Sequence, residues 1–112
     1  MPHDPKVCFQ DVKIACELII QFIGSMSADE YFADAKTKSA IERQFEIIGE
    51  ALNRVKKINP ELLDGISDWQ HIIGFRNVLS HCYNTTSDES VYGFATDDVH
   101  TLLSDITKKL KD

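Results

Sequence analysis

The stretch "IERQFEIIGEALNRV", Ile41 to Val55, decides the fold. Its apolar residues Ile41, Phe45, Ile48, Leu52 and Val55 step by four, three, four and three, which lines one face of an α-helix at 3.6 residues per turn. The pattern stops before Asn59-Pro60, because a proline pushes the residue before it out of the helical region. Gly49 lies inside the pattern, where it costs roughly 1 kcal/mol against alanine, so close approach by a second helix is expected there. Glu42, Arg43, Glu46 and Glu50 share this helix and read as solvated helix-surface ion pairs.

The same period recurs on both sides. From Lys6 to Ile23, Val7, Cys8, Val12, Ile14, Ala15, Leu18, Ile19, Phe22 and Ile23 follow helical spacings, with Pro5 suited to the first turn and Gly24 to the end. "SADE", Ser27 to Glu30, is a capping-box pattern that opens a short helical turn through Tyr31 and Phe32. "NPELLDGISDW" reads as a connection with one short turn, after which Asp68 is a suitable N-cap for a helix beginning near Trp69 with Ile72, Ile73, Val78 and Leu79 inward. "NTTSDES", Asn84 to Ser90, reads as a break, followed by a short turn through Val91 and Tyr92. Thr96 or Asp97 then starts a last helix with Val99, Leu102, Leu103, Ile106 and Leu110 inward. Alternation at period two never persists, so the expected fold class is all-α, a helical bundle.

Length and composition bound the possibilities. A chain of 112 residues suits one domain over residues 1–112, and 43% hydrophobic with 27% charged residues is an ordinary globular balance. A net charge of −6 argues against a protein that coats nucleic acid, DNA included, because such binding scales with the phosphates neutralised by Lys and Arg. Lys56-Lys57 and Lys108, Lys109 and Lys111 cluster where cations complement the carbonyl ends of helices. Cys8, Cys16 and Cys82 are odd in number and form no CxxC pair, which suggests reduced thiols in the cytoplasm. Neither a signal peptide nor a membrane span is expected, since "CELIIQFIG" is short and broken by Glu17 and Gln21.

Chemistry concentrates in "GFRNVLSHCYN", Gly74 to Asn84. His71 and His81 are ten residues apart, about 80° off the same azimuth of a helix, and neither an HxxxH nor an HExxH pattern occurs, so no metal site is expected. Without a GxGxxG or GxxxxGK[ST] loop, no phosphate-cradling cofactor site is expected either. Cys82 and Ser80 adjoin His81 and point about 100° away from it on a helix, which disfavours a nucleophile–histidine dyad.

What remains is Arg76, Asn77 and His81. Asn77 and His81 are four apart on one face, so the amide can orient the imidazole, whereas Arg76 and His81 lie about 140° apart round an ideal helix. They converge if the helix ends near Ser80, or if two copies of the helix share a cleft across a two-fold axis. A guanidinium beside an imidazole suits metal-free RNA cleavage, with the histidine moving a proton and the arginine steadying the phosphorane charge. The same three residues also suit a purely structural role, capping the helix and bracing an interface.

"RNVLSHCY" fits the R-x4-H-x-Y form of the HEPN superfamily. With "FEIIGEAL" upstream, "DWQHIIGFRN" leading in and "DDVHTLLSDI" downstream, the chain resembles the HepT toxins of HepT–MntA toxin–antitoxin pairs over nearly its whole length. The resemblance implies a four- to five-helix bundle that forms a homodimer, with the motif helices of two protomers lining a cleft that cuts RNA. It implies Arg76 and His81 as the catalytic pair and Asn77 as a supporting residue. It further implies an MntA-like minimal nucleotidyltransferase antitoxin as partner, which uses ATP to attach AMP to Tyr83. The alternative is a non-catalytic helical subunit that assists such a nucleotidyltransferase.

Overall fold

The computed structural model describes residues 4–81 and 85–111, and the side chains of all of these except 77–81 and 85–87. Helix α1, Pro5–Ile23, starts where the Asp4 carboxylate accepts a hydrogen bond from the Lys6 N–H at 2.9 Å, and it stops at Gly24, whose φ of +48° glycine tolerates. Helix α2, Ala28–Ala33, has the expected reciprocal cap: the Ser27 N–H donates to Glu30 Oε1 at 2.9 Å and the Glu30 N–H to Ser27 Oγ at 3.2 Å. Helix α3, Ala35–Ile58, is capped by Asp34, which accepts from the Thr37 N–H at 3.0 Å. All five of its predicted apolar positions are buried, with Gly49 and Ala51 beside them. A 3₁₀ turn, Pro60–Leu63, follows where the connection was expected to hold one.

Helix α4, Trp69–His81, is entered by a tight turn. Asp68 occupies the position before it and its carbonyl accepts the Ile72 N–H at 3.0 Å. Its φ of +58° is left-handed, however, not the extended conformation from which a capping carboxylate reaches the first N–H groups. A tertiary bond accompanies this conformation: the Ser67 N–H donates to Asp105 Oδ2, 3.0 Å away.

The expected break at Asn84–Ser90 is overturned. Asn84 is outside the described residues, and from Thr85 the chain is helical: α5, Thr85–Gly93, runs into a π-helical turn, Phe94–Asp98, and on into α6, Val99–Lys111. Thr96 and Asp97 therefore lie inside a wide turn and start no new helix. Buried Val91, Phe94, Ala95 and Val99 keep helical spacing through this region, and that burial outweighs the local turn preference of Thr, Ser and Asp. The Thr96 hydroxyl donates to the Tyr92 carbonyl at 2.9 Å, which satisfies it without interrupting the chain.

The all-α class is as expected, with no strand among the described residues. Helix α3 is the hub, packed against α1 and α4, while α6 lies along α1. One contiguous set of buried side chains joins them, drawn from Val12, Cys16 and Ile19 of α1, Ile41 to Val55 of α3, and Val99, Leu102 and Ile106 of α6. Tyr31 of α2 is fully buried against the rings of Phe32 and Tyr92. Two of the apolar residues of α1, Val7 and Ile14, face solvent instead.

Candidate active site

Helix α4 carries Arg76 on the side that meets α3. A Cβ placed on Gly49 would lie 2.9 Å from Arg76 Cβ and 3.0 Å from its Cδ, closer than side-chain carbons approach. The missing side chain at Gly49 is thus what lets the Arg76 stem lie flat on α3, as the sequence anticipated for some second helix. Phe45, one turn earlier on α3, packs edge-to-face with Phe75 at 5.4 Å between ring centroids, locking the same seam. Arg76 itself is half-buried, with its stem against α3.

The side chains of Asn77 and His81, and the whole of Tyr83 and Cys82, lie outside the described residues. Helix α4 extends through His81, so Arg76 and His81 are five positions apart on one continuous helix, about 140° round its axis. His81 is the last described residue of α4, one position beyond Ser80.

Two cations of α3 are engaged in ion pairs. Lys38 pairs with Asp88 at 3.3 Å, tying α3 to α5, and Arg43 reaches Glu46 at 3.6 Å and Glu50 at 3.8 Å. Glu42 lies between these groups and its carboxyl is raised above its ordinary value, first by burial and then by the Asp88 charge, with Lys38 opposing. Burial pushes the Cys16 thiol up to about 12, leaving it inert. Among the described residues no three His, Cys, Asp or Glu side chains gather as a metal-binding set, and no helix is long and apolar enough to cross a membrane.

Sequence reasoning missed a pocket of about 150 Å³ beside Phe75, between α3, α4, α5, the π turn and α6. Phe45, Phe75 and Phe94 give it an aromatic lining, and Asp68, His71 and Asp98 supply polar groups. The only sequence signal was the spacing of His71 and Phe75, four apart on α4, whose rings stack at 13° and 6.2 Å.

Comparison with known proteins places this arrangement. The model of the HepT-like family, described as "Ribonuclease HepT-like", matches residues 12–109. The chain belongs to the HepT-like family. A Thermococcus cleftensis protein named "Probable ribonuclease HepT" is 27% identical over 115 aligned residues, covering 99% of this chain and 100% of that protein. A Methanocaldococcus jannaschii protein named as a "Putative RNase" is 27% identical over 111, covering 97% of this chain and 89% of its own length. A similarly named Caldanaerobacter subterraneus protein is 29% identical over 79 residues, covering 70% of each chain. No solved structure matches the chain. The HepT-like match runs from within α1 to within α6, so Gly49, Arg76 and the pocket all fall inside the family region.

Proposed function

We propose that this HepT-like chain is a metal-independent endoribonuclease whose active site forms between two copies. The observation that carries the reading is the family match over residues 12–109, and the seating of Arg76 against Gly49 supports it by fixing the arginine stem in the α3–α4 seam. Arg76 and His81 are the catalytic pair, with Asn77 orienting the imidazole. With Arg76 and His81 about 140° apart round α4, the arginine of one copy works beside the histidine of the other.

The chemistry follows from those groups. The ribose 2′-oxygen attacks the adjacent phosphorus as its proton passes to a base. The bond from phosphorus to the 5′-oxygen then breaks as that oxygen takes up a proton, leaving a 2′,3′-cyclic phosphate. His81 handles one of these protons and Arg76 stabilises the charge on the phosphorane oxygens. In the cell the chain acts as a toxin in the cytoplasm, silenced when an MntA-like nucleotidyltransferase uses ATP to place AMP on Tyr83. A bulky anion there blocks the cleft and neutralises its cation. Tyr83→Phe then keeps cleavage and escapes silencing; silencing of that variant would remove Tyr83 from this role.

Incubation of the purified protein with total RNA in EDTA tests the reaction. The parent is expected to yield cyclic-phosphate ends, and Arg76→Ala or His81→Ala to lower the rate by about 10²–10⁴-fold with helicity unchanged. Mixing the two inactive variants in equal amounts tests the shared site, since mixed dimers hold one intact Arg76–His81 pair and should recover about a quarter of the parent activity. No recovery would place both groups within one chain. No cleavage by an unmodified, dimeric parent would make the chain a binding subunit instead.

A further inference from the structure

The pocket beside Phe75 has no part in the chemistry above, yet it is built from two local irregularities that the fold brings to one place. Asp68 is left-handed, and the π turn Phe94–Asp98 interrupts an otherwise α-helical run. Such departures persist only where the surroundings hold them, and π turns recur at functional sites. Here the wide turn presents Phe94 and Asp98 to the same cavity, with Thr101 and Leu102 one turn on, opposite Asp68 and His71.

The lining specifies a ligand. Phe45 meets Phe75 at 5.4 Å and Phe94 at 4.5 Å between ring centroids, and these buried edge-to-face contacts make an apolar floor, while the accessible rings of Phe75 and His71, nearly parallel to each other, offer the π-surface. Cavities that enclose drug-sized ligands run to about 300–1,000 Å³, so a pocket of about 150 Å³ takes a single planar ring system. No Lys or Arg is among the described residues that line it, and two carboxylates are, so the pocket rejects phosphate and selects N–H donors.

We propose that this pocket is a guanine subsite. The Watson–Crick edge of guanine carries adjacent N1–H and N2–H donors, which match the two oxygens of a carboxylate. Adenine and cytosine set an acceptor nitrogen beside their amino group, and uracil flanks its one N–H with carbonyls that face the carboxylates unfavourably. Unpaired bases in RNA are recognised in this way, by stacking on aromatic rings and by bonds to their edges. The pocket adjoins the proposed catalytic seam: Phe75 directly precedes Arg76, and Phe45 lies one turn from Gly49. A guanine of the bound strand can therefore sit in the pocket while a phosphate lies toward Arg76. This last step rests on the ribonuclease reading, whereas guanine binding itself does not.

Nuclear magnetic resonance of the full chain, titrated with GMP, IMP and UMP, separates the two. All three probes share the phosphate, so differences report the base. GMP is expected to shift the ring signals of His71, Phe75 and Phe94, IMP to bind more weakly, and UMP to leave them unmoved. Asp68→Asn or Asp98→Asn should weaken GMP binding by about tenfold or more, whichever carboxylate makes the pair. Equal shifts with GMP and UMP, no shift at all, or full GMP binding by both variants would overturn the subsite. RNA fragment ends mapped for the parent and for the same variants form the second arm. A guanine preference in the parent that the variant loses ties the pocket to the RNA strand. Cleavage with no base preference beside firm GMP binding overturns that tie and assigns the pocket to a free guanine nucleotide. GMP binding with no cleavage refutes the ribonuclease reading and leaves the guanine site standing.

Discussion

Gly49 and Gly74 are both mid-helix glycines, and what surrounds each decides its effect. A methyl group on Gly49 meets the Arg76 Cβ at 2.9 Å, near the root of that side chain, where it cannot swing aside, whereas one on Gly74 finds no atom within 4 Å. Overpacking costs about 1–3 kcal/mol and outweighs the gain of about 1 kcal/mol that alanine brings to a helix. Gly49→Ala is therefore expected to lose up to about 2 kcal/mol in urea unfolding and to lower RNA cleavage by displacing Arg76. Gly74→Ala should gain about 0.5–1 kcal/mol, because alanine narrows the unfolded ensemble without a clash. Equal midpoints for the two variants would show that α3 and Arg76 are not in close contact.

At the scale of elements, the helices owe their ends to side chains and their positions to a few tertiary bonds. Backbone N–H donation from Ser27 holds the Glu30 carboxyl below its ordinary value, and donation from Thr37 does the same for Asp34, as expected of carboxylates that cap helices. The residue before α5 lies outside the described residues, and the described contacts of α5 are with its neighbours. The Tyr92 hydroxyl donates to the Met26 carbonyl at 2.7 Å, joining α5 to the turn before α2, and its ring meets those of Tyr31 and Phe32. Tyr92→Phe keeps the ring contacts and removes the bond, so a loss of about 1 kcal/mol is expected. Hydrogen exchange should show it first in α5, the element that this bond secures. Uniform loosening of all helices would mean that α5 unfolds only with the rest.

For the molecule as a whole, the pH dependence of stability turns on carboxylates from different helices. Glu42 of α3 faces Asp88 of α5, Lys38 and Glu46 of its own helix, and the buried Tyr31 of α2, and its carboxyl is raised above the ordinary value of 4.5. A raised carboxyl favours folding while protonated. Below 4.5 both folded and unfolded chains hold the proton, and as pH rises the unfolded chain loses it first, so this contribution declines until pH passes the folded value. Glu42→Gln should accordingly melt above the parent at pH 7, with the gap closing near pH 4. A variant less stable than the parent at pH 7 would show that the Lys38 attraction outweighs burial and the Asp88 charge.

The amino-acid sequence by itself determined the all-α class, the extent of α1, the C-terminal end of α3, the Ser27–Glu30 cap and the need for close approach at Gly49, because each depends on periodicity or on contacts within one turn. The R-x4-H spacing likewise sets Arg76 and His81 about 140° apart on any continuous helix. Tertiary structure alone decided that α5 and α6 are joined by a π turn, since burial of Val91, Phe94 and Val99 overrode residues that locally favour a break. It also decided which helix fills the space at Gly49, the left-handed turn at Asp68 and the pocket itself. The pocket gathers Phe45, Asp68, His71 and Asp98 from positions up to 53 residues apart, a separation that no local pattern encodes.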